Sequence, residues 1–341
     1  LAALMEGHRS VAVTGTSGKS TVTGMIGWIL EQLGADPNVV NGAPVLNWAT
    51  GERIGNARCG RSDLWVVEAD ESDRTLLKFH PEWAVITNAT KDHFGLDETL
   101  DIFRRFSGQV RQGIVNGLDD PPWLRDFAPR VQADGSRFVY GGVEFRVTVP
   151  GHHNAVNALF AVVLCERLGF DLAAIQRALM DFKGIHRRLE VVGSARGVTV
   201  IDDYAHNPAK IRAAWETAAS IFNRVIGVWR PHGYGPLGSM LAELTDTFEA
   251  VCREGHRLHV LPVFDMGGTA NRSANSGMLV DALRLRQVPA ALAADLAALP
   301  GEVSAQARAG DCVLVMGARD PELPLLAERI LERISSGDLP D

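Results

Sequence analysis

The residues Gly15-Thr16-Ser17-Gly18-Lys19-Ser20-Thr21 stand between an apolar run, Val11–Val13, and a segment of helical periodicity that starts at Lys19. Strand, glycine loop and helix in that order make a cradle for phosphate. Glycines let backbone N–H groups approach phosphate oxygens, and the helix N-terminus adds a favourable dipole. Lys19 brings a positive charge to the β- and γ-phosphates, and the Ser20 hydroxyl suits Mg2+. The common spacing asks for a glycine five residues before Gly18. Val13 stands there, so Gly15 makes a tighter variant of the loop. A plain glycine turn with an exposed lysine would use the same letters, but not the strand before it and the helix after it.

A second group follows the apolar run Leu64–Glu68, which continues as Ala69-Asp70-Glu71-Ser72-Asp73. In open α/β sheets ligands collect beyond the carboxyl ends of strands. Clustered carboxylates there repel one another and a nucleotide alike. A divalent cation removes the conflict, because Mg2+ takes one or two carboxylates together with phosphate oxygens and water. A third run, Trp83–Thr87, leads into Asn88-Ala89-Thr90-Lys91-Asp92-His93. His93 leaves the same sheet edge and is a further candidate ligand, softer than Mg2+ prefers. These strand ends suit a nucleotide and its Mg2+, with the choice among Glu68, Asp70, Glu71 and Asp73 left open.

Positioning these groups requires alternating strands and helices. Short continuous apolar runs read as strands covered on both faces. In the first half they are Ser10–Val13, Leu64–Glu68 and Trp83–Thr87. Phe138–Val149 alternates around two glycines and predicts a hairpin. Helices are expected at Lys19–Leu33, Asn154–Leu168 and Leu172–Phe182, the last capped by Asp171. The second half repeats the pattern, with strands at Val198–Ile201, Val225–Val228, Leu258–Pro262 and Cys312–Met316. Helices are expected near Pro208–Ile221, Leu237–Arg253, Ser276–Leu285 and Pro321–Ile334. The alternation predicts parallel, doubly wound sheets. With 341 residues the chain suits two domains, 1–186 and 187–341, divided near Gly184–Arg188.

Composition narrows the partners. Apolar residues are 46% and charged residues 22%, as in ordinary globular proteins. The net charge of −7, without a basic stripe, argues against nucleic acid. No apolar run reaches the ~18 residues of a membrane span. Cys59, Cys165, Cys252 and Cys312 are scattered and form no CxxC, which fits a cytoplasmic protein without a zinc site. The sequence leaves oligomeric state open.

Six motifs occur in a fixed order: GTSGKST, EADESD, VITNATKDH, GHHNAVNALFA, HRRLE and VIDDYAHNP. They resemble the Mur ligase family, ATP-dependent amide-bond enzymes of peptidoglycan synthesis, and the resemblance extends over essentially all of residues 1–341. The forms EADESD and DDYAHNP are most similar to the branch that joins L-alanine to UDP-N-acetylmuramate, and to its relative that recycles a murein tripeptide. The resemblance implies a P-loop central ATPase domain with a mostly parallel sheet and a C-terminal Rossmann-like domain. It implies ATP and Mg2+ as cofactors, with Ser20, Glu68 and His93 at the metal, Lys19 on the γ-phosphate, and His153, Asn154 and Asn157 at adenine. An amide can both donate to and accept from the edge of that base, and Asn154 could equally cap its helix. It further implies Arg188 near the transferred phosphate, Asp203 at the ribose, and His206 and His232 near the incoming amino acid. The implied chemistry is an acyl phosphate formed from a small-molecule carboxylate and then displaced by an amine, with the C-terminal domain closing over the nucleotide.

Two departures refine the expectation. The family carries an N-terminal domain for the UDP group, whereas here about ten residues precede the first strand; that domain is expected either upstream or absent. The alanine-adding branch also reads PHRYxR, whereas this chain has Pro231-His232-Gly233-Tyr234-Gly235-Pro236. Neither Gly233 nor Pro236 can replace a carboxylate-binding arginine, so an altered acceptor pocket is expected. Arg230 is the nearby cation that could take over. Three readings follow: the muramate–amino acid ligase, the same chemistry on another substrate, and a nucleotide-binding partner without ligase activity.

Overall fold

The computed structural model describes residues 1–89, 95–132, 134–253, 255–265, 267, 272–293 and 295–337. The chain divides into two compact units, Leu1–His186 and Arg187–Asp341.

In the first unit a short helix α1 (Ala2–Met5) leads into β1 (Arg9–Thr14), then α2 (Lys19–Gln32), β2 (Asn38–Val40), β3 (Ala57–Arg58) and β4 (Leu64–Glu68). A 3-10 turn at Thr75–Lys78 precedes β5 (Trp83–Ile86), α3 (Leu96–Ser107) and β6 (Gly113–Asn116). The sheet order is β3-β2-β4-β1-β5-β6, parallel apart from the edge strand β3. Val13 pairs with Glu68 and Thr14 with Ile86, so β4, β1 and β5 end along one edge. Both faces are covered, as the unbroken apolar runs require. Val11 and Val13 pack with Met25, Ile26 and Ile29 of α2. Ala12, Val67 and Ile86 face Ile102, Phe103 and Phe106 of α3.

A subsidiary layer follows: α4 (Pro122–Arg125), β7 (Arg130–Gln132), β8 (Gly135–Tyr140) and β9 (Val143–Val147), then α5 (His152–Arg167) and α6 (Leu172–Met180). The expected hairpin is β8–β9, with Phe138 stacked on Phe145 at 5.3 Å. Asp171 caps α6 by accepting the Ala174 N–H at 3.0 Å. The apolar stretch of α5 is buried core, and among the described residues no helix is long and apolar enough to cross a membrane.

The second unit runs β10 (Glu190–Ala195), β11 (Val198–Asp203), α7 (Pro208–Ile221), β12 (Arg224–Arg230), α8 (Tyr234–Val251) and β13 (Arg257–Val260). It continues with α9 (Ser276–Leu285), β14 (Ala290–Leu292), α10 (Leu299–Gln306), β15 (Asp311–Gly317) and α11 (Glu322–Ser336). Its order is β10-β11-β15-β12-β13-β14, parallel except for the β10–β11 pair. Helices α7, α8 and α9 cover one face through Trp215, Phe248 and Leu279. Helices α10 and α11 cover the other through Val303, Leu326 and Ile330. Chains leaving β11 and β12 therefore turn to one face and the chain leaving β15 turns to the other. Ligands of such sheets bind at that kind of switch point.

Candidate active site

The loop between β1 and α2 is held open by glycine geometry. Gly15 and Gly18 have φ of +133° and +83°. A Cβ on Gly15 would strike the Thr87 hydroxyl, and one on Gly18 would strike the Asn157 amide oxygen. The end of β5 clamps the loop. Asn88 Oδ1 accepts from the Thr16 hydroxyl at 2.7 Å and from the Ser17 N–H at 3.1 Å. Its amide nitrogen donates to Ser17 O at 3.1 Å, and the Thr87 hydroxyl to the same carbonyl at 2.7 Å. Thr87 and Asn88 were not singled out as site residues from sequence; applying the strand-end rule to β5 would have found them.

Lys19 Nζ donates to Gly15 O at 2.9 Å and to Glu71 Oε2 at 2.8 Å, with Asp70 at 3.7 Å. Glu71 is buried. Burial pushes its carboxyl above the ordinary value, against the opposing pull of Lys19. The lysine thus rests on a carboxylate, an anion that a phosphate could replace.

Ser20 and Glu68 are tied to one connection, the residues after β2. Asn41 Nδ2 donates to Ser20 O at 3.1 Å, and the Gly42 N–H donates to Glu68 Oε2 at 2.7 Å. Sequence reading missed Asn41 and Gly42, because a three-residue strand gives little periodic signal. The expected third ligand, His93, lies outside the described residues. Among those described, no cluster of three His, Cys, Asp or Glu forms. Mg2+ does not require one, since it keeps several waters and takes one or two protein oxygens beside phosphate. A carboxylate fixed through one oxygen and a hydroxyl in the first turn of α2 fit that cation.

The proposed adenine residues lie in the first turns of α5. Gly151, not Asn154, is the N-cap, which corrects the capping alternative. Asn154 is buried and donates to Pro150 O at 2.8 Å, which leaves its amide oxygen for another donor. Asn157 is buried where α5 meets Gly18. His153 is exposed.

In the second unit HRRLE and DDYAHNP hold each other. Arg187 and Leu189 both have left-handed backbone, φ 57° and 46°. The Arg187 guanidinium grips Asp202 at 3.0 Å and donates to Gly317 O at 2.7 Å. Asp203 accepts the N–H groups of Leu189 and Ala205, both at 2.8 Å. Arg188 lies over the Tyr204 ring at 5.3 Å. His206 Nδ1 is 2.9 Å from Tyr204 O. A carbonyl only accepts, so Nδ1 carries the proton and the lone pair is on Nε2. Its ring meets that of His232 edge-on at 4.8 Å. Burial holds His206 at about 4 and lowers His232 as well, so both are neutral near pH 7. The structure corrects one expectation. Arg230 is not available for an acceptor, because its guanidinium bonds Asp320 at 2.7 Å and Pro262 O at 3.1 Å. The segment 264–273 lies partly outside the described residues. Its exposed Asp265 and Arg272 pair with each other at 2.8 Å.

A glycine loop on the central strand of a parallel sheet, joined to a doubly wound unit, defines a P-loop protein with a Rossmann-like partner domain. Residues 13–106 match the Mur ligase middle domain and residues 187–319 the Mur ligase glutamate ligase domain. A UDP-N-acetylmuramate–L-alanine ligase of Synechococcus sp. is 33% identical, over 96% of this chain and 72% of that protein. Its namesake from Mycolicibacterium vanbaalenii is 32% identical, over 98% and 76%. The crystal structure of the UDP-N-acetylmuramate–alanine ligase of Thermotoga maritima superposes with a TM-score of 0.76 at 26% identity, over 97% of this chain and 76% of that one. The chain belongs to the Mur ligase family and is an ATP-dependent carbon–nitrogen ligase of peptidoglycan synthesis.

Proposed function

We propose that this ligase joins the carboxyl group of UDP-N-acetylmuramate to the amino group of an amino acid, L-alanine first among candidates, in the cytoplasm. A carboxylate oxygen attacks the γ-phosphorus of ATP and the bond to ADP breaks. The amine nitrogen then attacks the acyl carbon of the acyl phosphate, the carbon–oxygen bond to phosphate breaks, and the amine loses a proton. The protein's task is positioning and charge neutralisation.

Lys19 leaves Glu71 for the transferred phosphate, and the loop N–H groups receive the remaining oxygens. Ser20 and Glu68, with His93, would hold Mg2+, whose charge offsets that of the phosphates. Asn154 and Asn157 orient the base, with His153 beside them. In the second unit Arg188 serves the transferred phosphate and Asp203 the ribose. His206 and His232, both neutral, receive the amino group without repelling it.

The observation that carries this reading is the Lys19 arrangement: a P-loop lysine resting on an acidic strand end, beside a carboxylate and a hydroxyl suited to magnesium. The test is release of ADP and phosphate by the chain with Mg2+, ATP, UDP-N-acetylmuramate and L-alanine. Turnover should require every component. Turnover without an amine, or none with any carboxylate and amine pair, overturns the reading.

A further inference from the structure

The order of strands in the second sheet places β15 between β11 and β12. His206 follows β11 and His232 follows β12, and their rings meet at 4.8 Å. The residue that follows the strand separating them, two positions beyond Gly317, is Arg319. It is exposed and has left-handed backbone, φ 64°. That conformation is uphill for a side chain with a Cβ, and such residues persist where a site uses them.

The charges nearby leave Arg319 unneutralised. Arg319 has no ion pair among the described residues. The adjacent Asp320 is buried and already bonds Arg230 and the Glu322 N–H. Asp203, at the end of β11, gives both oxygens to backbone N–H groups. The charges of Arg319 and Lys210 both act on His232. This strand-end group therefore offers one exposed guanidinium next to neutral imidazoles. An α-amino acid is complementary to that pair of features: its carboxylate suits the guanidinium and its amine N–H suits the Nε2 lone pair of His206.

We propose that Arg319 binds the carboxylate of the acceptor amino acid and sets the preference for acceptors that carry one. This rests on the ligase reading above. It places the carboxylate anchor just after β15, since neither Gly233 nor Pro236 can supply charge and Arg230 is engaged elsewhere.

The variant Arg319→Gly relieves the left-handed backbone, so folding should be kept, as judged by an unchanged or raised Tm. Its KM for the acceptor should rise about 10- to 100-fold, with kcat within about threefold and KM for ATP within about twofold. Wild type should prefer the amino acid to its methyl ester, and the variant should lose that preference. Arg319→Lys should recover part of it. An acceptor KM within twofold of wild type, or an unchanged preference over the ester, overturns the inference while the ligase reading stands. A rise confined to KM for ATP overturns it too, by assigning Arg319 to a nucleotide phosphate. Wild type that turns over with no amino acid sinks both.

Discussion

The two sheets share a plan and differ in what their carboxyl edges offer a ligand. In each, a central parallel strand is flanked by two others whose carboxyl ends carry the functional groups: β1 between β4 and β5, and β15 between β11 and β12. The first edge is built from backbone. Gly15 and Gly18 expose N–H groups, Thr87 and Asn88 hold the loop in shape, and Lys19 is held by Glu71. The second edge is built from side chains. Arg188, His206, His232 and Arg319 project from four short connections, while Asp202 and Asp320 are spent on Arg187 and Arg230. A phosphate chain has many equivalent oxygens and is best met by a concave set of N–H donors. An amino acid has one carboxylate and one amine, which different side chains can distinguish.

The largest expected effect separates the edges by charge. Lys19→Ala should reduce turnover by about three orders of magnitude or more, as loss of a charge on a transferred phosphoryl group does. Steady-state ADP release measures it, and residual activity within tenfold of wild type would remove Lys19 from the chemistry. Gly18→Ala attacks the backbone design. A Cβ at positive φ, pressed on Asn157, should destabilise the first unit by about 2–3 kcal/mol and weaken ATP binding. An unchanged denaturation midpoint would show that the loop tolerates a side chain. Asn88→Ala releases the clamp and should raise KM for ATP about tenfold while KM for the acceptor stays put. A change in acceptor KM alone would blur the division of labour between the edges.

The smallest effect is the pH dependence that the second edge contributes. His206, at about 4, lies below its ordinary value, and His232 is lowered too. The unfolded chain therefore binds protons that the folded one refuses. The stability involved is fully present above about pH 6.5 and is lost as pH falls toward 4. Acid unfolding of wild type against His206→Gln, which cannot titrate, checks this. The variant should show a shallower decline across that window, and identical profiles would deny His206 the role.

Much of the framework was legible because it is written locally. Leu64–Glu68, Pro208–Ile221 and Ser276–Leu285 form the elements their runs predict, and Asp171 caps as its position suggests. The short strands β2, β3, β7 and β14 were not read, since two or three residues carry no periodicity. Helix α3 was also missed. Its first turn abuts residues 90–94, and its polar face dilutes an apolar signal spread over Ile102, Phe103 and Phe106.

The sequence by itself determined the phosphate loop, because strand, glycines, lysine and helix are contiguous and each acts through its own backbone or the next residue. It also determined the alternation that makes two parallel sheets. What only the tertiary structure decided is which charges are already spent. Arg230 is bound to Asp320, ninety positions away, and Lys19 to Glu71 across two strands, while Arg319 forms no ion pair among the described residues and its charge acts on His232. Pairing of that kind depends on strand order and on distances of a few ångströms between residues far apart in the chain. Local spacing does not encode it, because a charge has the same letter whether or not it has a partner.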